Sequence, residues 1–332
     1  MMAAMLTVLM VALLGLAGMA WESWAAARER GRIATTGEIV ALGETVLHAD
    51  LQGRRRSIDQ PVVVMDGGLT NGSLTWPGVV RELGPDWLVL TYDRAGHLWS
   101  SLGPGNPSRG VEALLAEQRA LLAAMHLAPP WLLVAHSCSG HTARLHAARY
   151  PEDVAALLLV ETVSASQAAS ITRSSFARSL WWKVPAARFG LWRLWRWRKG
   201  LPPRPARVTP ESMVAAWTRL SQSGRGLRAT RDELAQLATD TAAIDAAPPP
   251  RQPCIILAST HGAVVVPKGM AAPEAHARAL AAQRELSARL PGAELRVTDQ
   301  SDHDIPWQAP GLVALAIRDL AARLPAAPAR RG

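Results

Sequence analysis

Along most of this chain, short apolar runs alternate with amphipathic stretches. The apolar runs predict strands at 38–42, 45–50, 62–65, 87–92, 131–135, 155–160, 254–258 and 294–297. Helical spacing of apolar positions fills most of the gaps, over 111–127, 142–150, 274–290 and 312–324. Alternating strand and helix predicts an α/β fold, a mostly parallel sheet covered on both faces. The rhythm breaks between Ser164 and Ala247, and the proline-rich stretch from Pro248 to Pro253 restores it. That interval predicts a helical cap inserted into the core. The expected organisation is a segment over 1–30, core over 31–163, cap over 164–247, core again over 248–325 and a tail over 326–332.

The first 21 residues carry no charged side chain and read as one apolar helix. About twenty such residues are enough to cross a hydrocarbon core. Trp21 and Trp24 stand where interfacial aromatics belong, with Arg28, Arg30 and Arg32 behind them. The expectation is an uncleaved anchor in a bacterial inner membrane, its orientation open. A signal peptide cut near Gly18-Met19-Ala20 is the rival reading and would give a secreted or periplasmic protein.

The net charge of +9 is concentrated rather than spread. Residues 162–210 hold ten Lys/Arg and no Asp or Glu, which leaves 26 basic against 27 acidic residues elsewhere. A near-neutral body argues against a nucleic-acid partner. Two cysteines, Cys138 and Cys254, cannot build a disulfide framework, and no spacing of Cys and His suggests zinc. The basic interval also holds Trp181, Trp182, Trp192, Trp195 and Trp197. Trp interleaved with Arg suits a water–lipid boundary. The other reading packs the tryptophans inward and leaves the arginines in water.

The sharpest chemical signal runs from Trp131 to Gly140. An apolar strand meets Ala135-His136-Ser137-Cys138-Ser139-Gly140, and a helical pattern follows at once. A tight strand-to-helix turn with Ser at its apex pushes the hydroxyl out above the sheet. Small residues are needed two before and two after the apex; here they are Ala135 and Ser139 rather than the usual glycines. Cys138 is a less suitable nucleophile, since at that position the backbone N–H is the useful group. A serine-rich loop without chemistry is the bland alternative.

This segment resembles the α/β-hydrolase superfamily, above all bacterial members. The resemblance extends to Val64-Met65-Asp66-Gly67-Gly68-Leu69 with Trp76, to the run from Tyr92 to Ser100, to Tyr150-Pro151-Glu152-Asp153-Val154, and to Ser301-Asp302-His303-Asp304-Ile305. It covers about residues 37–165 and 250–325, and it implies an α/β-hydrolase fold with Ser137 as nucleophile and His303 as general base. The usual loop for the acid, after strand 254–258, has no carboxylate before Glu274. Glu161, ending strand 155–160, occupies the other placement known in the family. Asp302, Asp304 and Glu274 are poorer substitutes, and a dyad is a further option. The resemblance assigns the oxyanion hole to the N–H groups of Leu69 and Cys138. Asp93 and Arg94 read as structural, and Leu98 replaces a frequent glycine, which predicts an altered loop. His136, His141 and His261 read as structural or pocket-lining.

The implied activity is that of a serine hydrolase acting on an apolar ester or related acyl substrate, with no cofactor and no metal. Epoxide hydrolysis and dehalogenation use Asp at the elbow in this superfamily. Amide hydrolysis, acyl transfer and cofactor-free peroxidation share the same constellation. An inactive membrane-associated binding protein is the alternative from another class.

Overall fold

The computed structural model describes residues 1–104, 109–200 and 211–324; Arg204, Arg207 and the 326–332 tail lie outside them. A 31-residue helix, α1 (Met2–Arg32), precedes a hairpin of β1 (Glu38–Leu42) and β2 (Thr45–Gln52). Then follow β3 (Val62–Asp66), α2 (Pro77–Leu83), β4 (Val89–Tyr92), α3 (Val111–Ala124), β5 (Trp131–His136), α4 (Ser139–Arg149) and β6 (Val154–Val160). The second part of the core is β7 (Cys254–His261), α10 (Ala272–Arg289), β8 (Glu294–Asp302), α11 (Ile305–Gln308) and α12 (Pro310–Ala322). Between β6 and β7, the regular elements among the described residues are helices: α5 (Ala165–Thr172), α6 (Ser175–Arg188), α7 (Leu191–Lys199), α8 (Glu211–Ser221) and α9 (Gly224–Ala246).

The eight strands form one sheet in the order β1-β2-β4-β3-β5-β6-β7-β8. β2 pairs antiparallel with both of its neighbours, and every other pairing is parallel. The α/β-hydrolase expectation and the mostly parallel sheet therefore hold.

The central strands read as unbroken apolar runs because both faces are covered. Successive residues of one strand serve opposite cores. Val62, Val64, Leu133 and Leu157 pack beneath Leu121 of α3 and Leu286 of α10. Val63, Leu132, Leu158 and Ile255 pack against Val79 of α2 and Ile317 of α12. The inserted helices bury a further cluster, where Leu180, Val184, Trp192, Leu227 and Leu234 meet, and Leu69, Cys138 and Val265 pack against it. Serine hydroxyls open three of these helices: Ser164 accepts from Gln167 N–H, Ser174 from Ala177 N–H and Ser223 from Gly226 N–H.

Several expectations change in detail: the strands expected to end at 258 and 297 run on to His261 and Asp302, and the helix expected from 142 begins at Ser139. The strand expected from Trp87 begins at Val89. Leu98 keeps a left-handed backbone, φ 38°, as a glycine would. That conformation costs a non-glycine residue about 1 kcal/mol or more, and full burial of the Leu98 side chain beside Trp99 and Leu220 offsets it. α1 is long and apolar enough to cross a membrane; a signal sequence meets the same criterion.

Candidate active site

Parallel strands end together, so residues just past their C-terminal ends share one edge of the sheet. Ser137 follows β5, Glu161 follows β6 and His303 follows β8. Both Ser137 (φ 62°) and Glu161 (φ 49°) hold left-handed backbone, which marks sharp turns away from the sheet.

The elbow explains its own small residues. A Cβ on Gly140 would sit 2.4 Å from Thr162 Cγ2, so the helix start lies hard against the strand beside it. Ser139, in place of the usual glycine, has room and a purpose. Its buried hydroxyl is 2.8 Å from the His136 carbonyl and 2.9 Å from the Asp66 carbonyl, tying the elbow to the end of β3. Gly68 closes over the apex, with the position of a Cβ only 3.1 Å from Ser137 Cβ.

Glu161 is fully buried and its Oε2 lies 3.3 Å from His303 Nδ1. Its Oε1 accepts from the Ser259 N–H. The loop after β7, where the resemblance first sought an acid, supplies Gly262 instead. A Cβ on Gly262 would fall 2.2 Å from Glu161 Oε2, so this glycine makes way for the carboxylate. Burial alone would lower the His303 pKa. The hydrogen bond and charge of Glu161, helped by Asp304 and Asp302, outweigh it and raise the imidazole above the ordinary histidine value. Asp302 and Asp304 line the cavity mouth, and Glu274 lies in an exposed ion pair with Arg278.

His136 Nε2 lies 2.9 Å from the His303 carbonyl, and the two rings are 4.8 Å apart. It braces the loop that carries His303. His141 is buried beside the Val163 carbonyl, and burial with the nearby Arg144 charge lowers its pKa to about 4. His261 lines the cavity against His276. Burial, together with the charges of Glu233 and Asp66 and against that of Arg94, pushes the Cys138 thiol up to about 12. A thiol that reluctant to ionise is a poor nucleophile.

Asp93 and Arg94 do more than fill a loop. Asp93 takes the Ser73 N–H (2.7 Å) and pairs with His48 (3.1 Å). Arg94 Nη1 donates to Asp66 Oδ1 (2.6 Å) and the Gly67 carbonyl (2.5 Å), and Nη2 donates to the Gly68 carbonyl (2.8 Å). In a trans peptide the C=O and the next N–H point in opposite directions. With the Gly68 carbonyl turned to Arg94, the Leu69 N–H points the other way. Among the described residues, neither the Leu69 nor the Cys138 N–H donates to a backbone carbonyl. Glu233 of α9 completes the arrangement, bonded to Arg94, Arg109 and His97. Burial opposes its charge, and Arg94 first, with the His97 hydrogen bond and Arg109, holds the carboxyl well below its usual range. Sequence reasoning did not single out Glu233, Gly262 or Arg109; each acts on a partner far away in the chain.

Ser137, Cys138, Leu69 and His303 all line one cavity of about 620 Å³. Cap residues Ile171, Phe176, Trp217 and Leu237, with Val163 and Val265, make much of its wall apolar.

The sequence matches the family model of the alpha/beta hydrolase fold over residues 60–310, and the chain belongs to that family. It is 30% identical over 128 residues to the protein named "Probable transporter efuK" of Hormonema carpetanum, covering 38% of this chain and 18% of that one. The chain spans less than half the length of the curated relatives it matches. Its fold is similar to that of a thermophilic esterase from Thermogutta terrifontis, with TM-score 0.59 and 19% identity over 86% of this chain and 97% of the other. The enol-lactonase of Burkholderia xenovorans LB400 is also similar, with TM-score 0.58 and 20% identity over 86% and 100% of the two chains.

Proposed function

We propose that this protein is a serine hydrolase that cleaves an apolar ester or related acyl substrate through an acyl-Ser137 intermediate. The observation that carries the reading is the shared cavity of Ser137, on its left-handed turn, and His303, buttressed by Glu161. Ser137 Oγ attacks the carbonyl carbon while His303 takes its proton. The oxyanion that forms accepts from the Leu69 and Cys138 N–H groups. The carbonyl re-forms, the alkoxide leaves, and His303 returns the proton to it. Water then attacks the acyl-enzyme, giving its proton to His303, and the acid departs as Ser137 recovers its hydrogen. Glu161 holds the imidazole with Nδ1 protonated and stabilises its cationic form.

The apolar cavity wall favours an acyl chain over a polar substrate. In this reading α1 is an uncleaved anchor that keeps the enzyme at a bacterial inner membrane, where such esters partition. Burial of Glu22, on the same helix, against Arg193 of the cap supports its retention.

The test is a fluorophosphonate probe applied to the full chain in detergent. Wild type is labelled and Ser137→Ala is not. Labelling that survives the substitution refutes the assignment. A well-folded wild type that resists labelling favours a binding protein that kept the fold.

A further inference from the structure

The N-terminal helix is fastened to the cap at a fixed depth. A Cβ on Gly18 would lie 2.5 Å from the Phe189 carbonyl oxygen, and one on Gly190 would lie 2.6 Å from the Trp21 ring. Farther along, Arg193 bridges Glu22 (2.6 Å) and Glu29 (2.7 Å). Gly15, still nearer the N-terminus, meets the Phe189 ring. Gly15 precedes Trp21 by about 9 Å of helix. The turn between α6 and α7 therefore reaches past the end of the apolar span rather than stopping above it.

The surface around that turn is apolar and uncovered. Trp181 is 78% exposed and Trp197 81%, and Trp182, Phe189, Leu191 and Trp195 are exposed as well. Of the five tryptophans here only Trp192 is buried, stacked on Trp195 at 4.7 Å. Exposed aromatic and apolar side chains concentrated on one hairpin mark an interaction surface. Arg178, Arg188, Arg198 and Lys199 are exposed among these residues, and the interval has no acidic side chain to balance them. A crevice of about 560 Å³ among α1, α7 and α8 sets Trp21 and Trp197 beside Arg196 and Arg219, with Arg193 there already paired to Glu29. Arg196 is buried, and among the described residues its Nε has no partner. Aromatic rings next to guanidinium groups match the level where acyl chains give way to phosphates.

We propose that the α6–α7 hairpin is inserted into the headgroup region of a bilayer containing anionic lipid, so that cap and anchor enter the membrane as one body. The inference rests on α1 being a retained membrane span, and the hydrolytic chemistry plays no part in it.

Full-length protein with Cys138→Ala and Cys254→Ala is reconstituted into phosphatidylcholine/phosphatidylglycerol vesicles. A single cysteine is added at Leu9, Trp181, Trp195 or Ile58 and labelled with an environment-sensitive fluorophore. Ile58 is exposed on the loop before β3, at the end of the sheet opposite the site. Lipid-borne nitroxide quenches the labels at 9, 181 and 195 and spares the one at 58. Quenching at 9 without quenching at 181 and 195 overturns the hairpin insertion and leaves the anchor standing. No quenching at 9 overturns the anchor, and this proposal with it. In pure phosphatidylcholine the quenching at 181 and 195 weakens; unchanged quenching refutes the part played by anionic lipid.

Discussion

Arg94→Lys isolates what the buried guanidinium contributes to the Gly67–Leu69 loop, the proposed oxyanion site. Arg94 makes five hydrogen bonds: to Asp66 Oδ1, to the Gly67 and Gly68 carbonyls, and to both oxygens of Glu233. Lysine keeps the charge but has a single donor nitrogen, which cannot span two carbonyls and two carboxylates in one plane. The 68–69 peptide loses its restraint, and with it the Leu69 N–H loses its aim. One misdirected oxyanion donor costs about 3 kcal/mol, or roughly a hundredfold in rate. Arg94→Met would strand Asp66 as well, at about 3–5 kcal/mol of stability, and would confuse the two effects. The assay is the second-order rate of fluorophosphonate labelling, paired with kcat and KM on a p-nitrophenyl ester and with a thermal melt. We expect kcat and the labelling rate to fall about a hundredfold with KM little changed. A folded Arg94→Lys protein reacting within about threefold of wild type, roughly 0.7 kcal/mol, refutes the reasoning.

Three further outcomes follow from the geometry. Glu161→Gln should lower kcat by roughly a thousandfold or more. Because Glu161 raises the His303 pKa and a protonated imidazole cannot act as base, the acidic limb of the rate profile should move to lower pH; an unmoved limb assigns the raised pKa elsewhere. Gly262→Ala should mimic that loss while lowering stability by about 1–3 kcal/mol, since its Cβ displaces the Glu161 carboxylate; near-normal turnover in the folded variant would show that the acid can relocate. Trp192→Ala should cost about 3–5 kcal/mol in denaturant melts, whereas Trp181→Ala should stay within about 0.5 kcal/mol; equal losses would place Trp181 in the cap core.

Much of the core was legible because its signals are local. Strands covered on both faces must be apolar throughout, so residues 62–65, 131–135 and 155–160 announce themselves. The elbow is legible for the same reason: strand, apex and helix are contiguous. Glu161 is a candidate acid by chain order and by its place at a strand end, and folding sets it 3.3 Å from His303. The Trp/Arg interval was ambiguous, since neighbouring tryptophans one to three residues apart fall on more than one side of a helix. Only the docking of α6 and α7 on α9 and α1 turned Trp192 inward and left the others out.

The sequence by itself determined the alternation of strands and helices, the apolar N-terminal helix, the turn at Ser137 and the chain order of serine, carboxylate and histidine. The tertiary structure decided which small residues make way for which partners: Gly262 for Glu161, Ser139 for the end of β3, and the Gly68 carbonyl for Arg94. It also decided that Glu233, 139 residues beyond Arg94, would close the charge network beside the site. The physical reason is the range of the interaction. Periodicity and backbone preference act over a few residues, whereas a buried charge finds its partner only after the chain has folded.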